Sequence, residues 1–390
     1  MRPAKRIEKV PPYLFAEIDK KKKEALARGI DIINLGIGDP DQPTPDFVVD
    51  ALATHARNPK THRYPDYEGS PEFRQAMSQW YQRRFGVTVD PSREVMTLIG
   101  SKEGLAHLIW AFVDPGDYAL IPDPAYPVYK THTLLAGGVP YTMPLLPENG
   151  FLPDFGKIPE EVWRKAKLLF LNYPNNPTAA VAERAFFEEA VALAKKYDVL
   201  LVHDAAYAEM TFDGYVAPSV LEVPGAKEVA IEFYSFSKPF NMTGWRIAAA
   251  VGNAAAISAL GIIKTNTDSG QFTAIQWAAM EAFQHDPLGF FGQMNRLYQG
   301  RRDVIIDGLN SLGWKLPRTR GTFYVWVPVP AGYTSASFTA ELLERAGVIV
   351  VPGTGYGEKG EGFVRIALTV PEERLREAVE RMRPFVKFGP

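Results

Sequence analysis

Residues 168–204 read LLFLNYPNNPTAAVAERAFFEEAVALAKKYDVLLVHD. Two short apolar runs, Leu168 to Leu171 and Val199 to Val202, enclose a turn with two prolines and a stretch, 183–196, whose apolar residues recur at helical spacing. Each run is apolar on both parities, which is the signature of a strand buried on both faces. A buried strand, a turn, an amphipathic helix and a second buried strand form a crossover unit, and such units build parallel sheets.

The same rhythm extends outward from about residue 45, with further runs at 95–99, 118–121, 229–234 and 247–251. It predicts an α/β fold: a large domain over 45–285 with a mostly parallel central sheet and helices on both faces. After about residue 285 the rhythm changes. A helical stretch at 290–311, a strand from Phe323 to Val327, a helix at 337–346, strands at Val348 to Val351 and Phe363 to Ala367, and a helix at 372–386 predict a smaller α+β domain over 286–390. Residues 1–44 read as an N-terminal arm that contributes to the smaller domain. Within it 13–28 is periodic like an amphipathic helix, stopped by Gly29. Its lysines, Lys20 to Lys23, read as a solvated helix face between Asp19 and Glu24.

Composition removes several classes of function. Lys plus Arg is 43 and Asp plus Glu is 45, giving a net charge of −2 and no basic excess for nucleic acid. Cysteine is absent, which excludes disulfides, a thiolate nucleophile and Cys-based metal sites. The first residues carry charges with no apolar stretch behind them, and no run approaches the ~20 apolar residues of a membrane span. The expectation is a cytoplasmic protein with a small-molecule partner. The six histidines show no metal-ligand spacing, so no metal is expected.

In parallel sheets ligands sit beyond the carboxyl ends of the strands, so the polar residues there are the candidates. Lys238, in Ser235-Phe236-Ser237-Lys238, follows a buried run and precedes apolar Pro239-Phe240. A lysine so placed can lose its proton and attack a carbonyl. Arg246 lies close by in sequence and suits an anion such as phosphate. Asp204 ends the run from Val199 and could cap a helix, bind a metal or partner a cationic ring nitrogen. Its neighbour His203 points to the opposite face of an extended segment, and Tyr207 joins Asp204 if the chain then turns helical. The stretch Asn172 to Thr178 reads as a rigid, extended loop that could hold an amide against a ligand oxygen. Gly100-Ser101-Lys102-Glu103-Gly104 opens a helical pattern and offers free backbone N–H groups to a phosphate. Together these groups fit pyridoxal phosphate.

The chain resembles the fold-type I, class I/II pyridoxal-phosphate-dependent aminotransferases from about Ile7 to Pro384. Within that family it is most similar to the LL-diaminopimelate aminotransferases, through Pro12 to Asp19, Asn34 to Asp41, Gly100 to Gly104, Asp123 to Tyr129 and Asn241 to Arg246. The resemblance implies that Lys238 joins the cofactor aldehyde and shuttles the substrate proton. It implies that Asp204 pairs with the ring nitrogen and that Tyr207 and Asn176 bond the ring oxygen. Ser101, Lys102 through its backbone, Ser235, Ser237 and Arg246 would hold the phosphate, and Tyr126 would stack on the ring. Tyr64 would reach the phosphate of a neighbouring subunit in a homodimer. Arg365 would grip the substrate α-carboxylate and Gly38 would line the substrate side. Two features depart from the family. Its loop ends Asn-Pro-Thr-Gly, whereas Ala179 follows Thr178 here, and the stretch Lys264 to Gln271 has no counterpart of the arginine with which aspartate aminotransferases bind a side-chain carboxylate.

The implied reaction moves an amino group from an amino acid, an LL-diaminopimelate-like donor being favoured, to 2-oxoglutarate or another 2-oxo acid. An aspartate, alanine, aromatic or broad-range aminotransferase, or a lyase on the same fold, remains open. Ser235 to Lys238 also matches the Ser-x-x-Lys of acyl-serine enzymes, but the companion Ser-Asp-Asn and Lys-Thr-Gly motifs are missing. Gly353 to Gly357 lacks the spacing of a dinucleotide fingerprint and reads as a mobile loop near the site.

Overall fold

The computed structural model describes residues 1–10, 22–24 and 26–385. Most of the expected helix at 13–28 therefore lies outside the described residues. The strands, in chain order, are β1 (Ile33–Asn34), β2 (Val95–Leu98), β3 (Tyr118–Asp123), β4 (Val139–Pro144), β5 (Ala166–Leu171), β6 (Leu200–Asp204), β7 (Ala230–Ser235), β8 (Ala248–Gly252), β9 (Tyr324–Pro328), β10 (Val348–Ile349), β11 (Val351–Pro352) and β12 (Phe363–Ala367).

Strands β2 to β8 form one seven-stranded sheet in the order β2-β8-β7-β6-β5-β3-β4. The pairs β3–β4, β3–β5, β5–β6 and β6–β7 are parallel, whereas β8 runs antiparallel to both of its neighbours. Alternate residues feed two different cores. Leu169, Leu171 and Leu201 pack with Trp80, Tyr81 and Phe187 on one face. Leu168, Phe170 and Val202 pack with Leu105, Leu108 and Tyr129 on the other. That two-sided burial explains the absence of polar–apolar alternation in the runs. It also puts His203 and Asp204 on opposite faces of β6.

β4 was not among the expected strands. It reads Val-Pro-Tyr-Thr-Met-Pro, is largely solvent-accessible, and occupies the sheet edge. Only an edge tolerates two prolines, because one side of the strand needs no hydrogen bonds.

The C-terminal part packs a second core around Tyr298, Phe323, Val364 and Leu375. Its sheet has the order β11-β12-β9 and is antiparallel. The expected strand from Val348 to Val351 is two short pieces. β10 pairs in parallel with β1 of the N-terminal segment, and β11 turns to pair with β12. The helix expected at 337–346 begins at Ser335 behind a capping box from Thr334 and finishes in a wider turn over Leu342–Ala346. The long helix spans Pro287–Ser311, capped by Asp286, and the last runs Glu372–Met382. Residues 353–357 are not a bare loop, since Gly353–Gly355 forms a 3₁₀ turn. A Cβ on Gly353 would stand 1.9 Å from the carbonyl oxygen of Gly360.

The loop after β5 folds back on itself instead of running extended. The Asn175 N–H donates to Ala180 O at 2.8 Å and the Ala179 N–H to Asn175 O at 2.9 Å. Closing that turn puts Ala179 at φ +59°, in the left-handed region that favours glycine.

Candidate active site

At the carboxyl edge of the large sheet lies a cavity of about 260 Å³. Sheet direction determines what reaches it. β2, β5, β6 and β7 end there, delivering Ser101, Asn172, Asp204 and Ser235. β8 runs the other way, so its beginning lies at the same edge and brings Arg246. Lys102, Tyr126, Asn176, Tyr207, Ser237 and Lys238 also line the cavity on the large-sheet side. Gly38 from the N-terminal segment and Arg365 on β12 close the cavity from the opposite side.

Tyr64 is the one candidate that the structure does not bring into this cavity. It is 86% exposed on the surface of the single chain.

The Lys238 ammonium is buried and donates to Gly38 O at 2.7 Å. Burial lowers its pKa to about 8, helped by the positive charges of Arg365 and Arg246 and opposed by Asp39. Near neutrality a usable fraction of this amine is the free base, which is what a nucleophile requires.

Asp204 is 4% exposed. Its Oδ2 accepts the Tyr129 hydroxyl at 2.7 Å, while its buried Oδ1 has no hydrogen-bond partner. Burial pushes the carboxyl upward, opposed by the Tyr129 bond, the nearby His203 charge and the Ala206 N–H. A buried carboxylate with one unsatisfied oxygen facing a cavity is a place for a cationic donor.

The anion cradle is built from close approaches. Gly100 precedes the helix Ser101–Phe112 at φ +79°, and no side chain caps that helix. A Cβ on Gly100 would lie 2.0 Å from the Arg246 guanidinium, so only glycine lets the arginine lie against the helix start. The Ser101 hydroxyl oxygen is buried without a partner. Arg246 itself has φ +56°, and Gln271 grips its carbonyl at 2.6 Å. Free N–H groups, an uncommitted hydroxyl and a guanidinium suit a phosphate.

On the substrate side Arg365 donates to Asn176 Oδ1 at 2.9 Å and to Gly36 O at 2.7 Å. Its guanidinium lies 4.0 Å from the centroid of the Tyr324 ring and 5.0 Å from that of Tyr356. The Tyr324 and Tyr207 hydroxyls are 3.0 Å apart, and burial, then the neighbouring Tyr324, raises the Tyr207 pKa well above the phenol range. Gly38 is required sterically: a Cβ there would stand 1.9 Å from the Tyr324 hydroxyl.

Sequence reasoning missed Tyr324, Tyr356 and Tyr129. None follows a strand of the large sheet directly, and only the packing of distant segments brings them in. Tyr324 could have been suspected, since it lies in the run from Phe323 to Val327.

Residues 30–382 match the sequence profile of the family "Aminotransferase class I and II". The chain belongs to this family. It is 60% identical over 383 residues to the LL-diaminopimelate aminotransferase of Moorella thermoacetica, covering 98% of each chain. It is 57% identical over 381 residues to LL-diaminopimelate aminotransferase 2 of Trichormus variabilis, covering 97% of each. Among solved structures it is similar to apo-BacF of Bacillus subtilis, with 42% identity, a TM-score of 0.96 and full coverage of both chains. The chain is therefore an aminotransferase of fold type I, and the cavity is its candidate active site. No helix among the described residues is long and apolar enough to cross a membrane.

Proposed function

We propose that this aminotransferase uses pyridoxal 5′-phosphate and takes its amino group from an LL-diaminopimelate-like donor, passing it to 2-oxoglutarate or another 2-oxo acid. The observation that carries the cofactor assignment is the unpartnered Oδ1 of Asp204, which faces the same cavity as the lowered-pKa amine of Lys238. When bound, the cofactor supplies an aldehyde for an amine and a protonated ring that draws electrons from the substrate Cα.

Each residue then has a task. Asp204 Oδ1 accepts the ring N–H and stabilises its positive charge. Ser101, the Lys102 N–H, Ser235, Ser237 and Arg246 hold the phosphate, and Tyr126 covers the ring. Tyr207 and Asn176 donate to the ring oxygen. Lys238 would hold the cofactor aldehyde through its amine and, when the substrate amine displaces it, would act as base by taking the Cα proton onto Nζ and as acid by giving that same proton back to the bound substrate–cofactor carbon skeleton. Arg365 clamps the α-carboxylate with its two-pronged donor, which fixes the direction of the Cα–H bond. Tyr324 and Tyr356 hold that guanidinium flat.

The donor assignment is supported by the names of the two curated relatives. The aspartate alternative is weakened by Lys264, which is fully buried and bonded to Asp268 at 2.9 Å, with Glu103 3.5 Å away, and so is committed inside the protein. The exposure of Tyr64 supports a homodimer in which this ring enters a neighbour's site. We read residues 45–285 as the cofactor-binding domain, with 286–390 and part of 1–44 as the smaller one.

The test is a donor screen with 2-oxoglutarate: LL-diaminopimelate, aspartate, alanine and aromatic amino acids. LL-diaminopimelate should have the highest kcat/KM. Preference for another donor overturns the substrate assignment, and failure to transfer an amino group from any of them counts against the reading as a whole.

A further inference from the structure

Behind Asp204, on the other face of the large sheet, lies a polar cluster with no access to the cavity. His203 is 0% exposed and Glu232, its register partner on β7, is 1% exposed. His203 Nδ1 is 2.8 Å from Glu232 Oε2, and His203 Nε2 is 3.0 Å from the carbonyl oxygen of Tyr173. A carbonyl oxygen can only accept, so Nε2 carries a hydrogen. Glu232 also receives the Tyr81 hydroxyl at 2.8 Å, the Ser219 hydroxyl at 2.9 Å and the Val220 N–H at 3.0 Å. A carboxyl group surrounded by donors is a carboxylate, so Nδ1 carries a hydrogen too.

We propose that His203 is a buried imidazolium, paired with the Glu232 carboxylate, and that this pair is a positioning device for Asn176 and Asp204. The connection is mechanical as well as electrical. Tyr173, gripped by His203, lies on the loop that carries Asn176. From the front of the sheet the same loop is tied to β6 by Asn172, which donates to Asp204 O at 2.6 Å and accepts the Asn176 N–H at 2.8 Å. One loop is thus pinned to consecutive residues of β6 from both faces. The imidazolium also stands one residue from Asp204 and favours its charged form.

The groups facing His203 are few. β7 contributes Glu232, and the helix Pro71–Phe85 contributes Tyr81 through that carboxylate. The helix Arg184–Tyr197 contributes the ring of Phe187, 4.8 Å away. The partly buried Arg84 pairs with the buried Glu209 at 3.0 Å. The nearest titratable group on β6 itself is Asp204.

This inference rests on the cofactor reading only for what Asp204 and Asn176 do. The protonation state is tested independently, by neutron diffraction from crystals of the holoenzyme at pH 7. Deuterium on both ring nitrogens of His203 and none on Glu232 is the expected result. A bare ring nitrogen or a deuterated Glu232 overturns the proposal. The positioning role is tested with Glu232→Gln, which removes the counter-charge but keeps an acceptor. Without the carboxylate the imidazolium loses its counter-charge, so the kcat profile of the variant should gain an alkaline limb not seen in the native enzyme measured alongside. On that limb kcat should fall about tenfold with little change in KM. A profile merely scaled down, with no new limb, shows a structural role only and overturns the positioning claim. If the variant does not fold, His203→Gln is read instead: a kcat equal to that of the native enzyme overturns it, and a tenfold loss at constant KM supports it.

Discussion

Two carboxylates sit in the same sheet, on adjacent strands, almost equally buried, and they live differently. Glu232 has every oxygen engaged, by a hydroxyl from the helix Pro71–Phe85, a hydroxyl and N–H from the turn at Ser219 and Val220, and the His203 ring. Asp204 has one oxygen bonded to Tyr129 and the other unanswered. Burial of polar groups is tolerated when they are satisfied and costs stability when they are not. The chain has closed the network on one face and left it open on the other. The open one faces the cavity that also holds Lys238 and Arg365. The difference separates a group that holds the sheet together from one kept for a ligand.

Exchanging the two carboxylates for neutral residues should break the protein in opposite ways. Asp204→Asn should lower kcat by about 10³-fold or more, because the ring nitrogen of the proposed cofactor would lose its counter-charge where charge develops. In cofactor-free protein the same change should leave the melting temperature unchanged or raised, since an unsatisfied buried charge is removed. A stability loss there, with kcat intact, would erase the contrast. Glu232→Ala should cost about 3–5 kcal/mol by denaturant unfolding, because it strands a buried partner charge.

The substrate end sharpens the same distinction between holding and reacting. Arg365→Lys keeps a positive charge but loses the planar fork stacked on Tyr324, so kcat/KM should fall about 30-fold, or about 2 kcal/mol of transition-state stabilisation, read in steady-state kinetics. Equal kinetics would make Arg365 a scaffold group like Glu232. Lys238 gives a pH signature. Its folded value of about 8 lies below the ordinary lysine value of 10.5. Carbonyl attack by this amine in cofactor-free protein should therefore rise through pH 8 and flatten above it, whereas an ordinary lysine would still be rising. Stopped-flow absorbance on adding the aldehyde checks this. The sign for stability follows: between these two values the unfolded chain binds more protons, so cofactor-free protein gains stability as pH rises from about 8 toward 10.5. The smallest effect is expected at Ala179→Gly. Relieving its φ of +59° should add about 1 kcal/mol, seen as a modest rise in melting temperature.

Much of this was legible in the chain. Lys238, Asp204, Ser101 and Arg246 follow or precede apolar runs that announce buried strands, and a parallel sheet has only one edge at which such residues meet. The seven-stranded sheet was readable for the same reason, except at β4, where edge position let a proline-bearing, half-exposed stretch pair. The substrate side was less legible. Arg365 came through family resemblance, but Tyr324 and Tyr356 sit amid residues whose pattern speaks only of packing. Tyr64 was named from resemblance, and the single chain leaves it on the surface.

The sequence by itself determined the alternation of strand and helix, the face of β6 on which His203 and Asp204 each lie, and the choice of an amine in a chain without cysteine. Those are properties of periodicity and composition, set by neighbours along the chain. Only the tertiary structure decided which of two buried carboxylates was satisfied, that β8 reverses to bring Arg246 to the ligand edge, and that Gly38 makes room for the Tyr324 hydroxyl. Satisfaction, strand direction and close approach are relations between segments distant in sequence, and they acquire values only when the chain is folded.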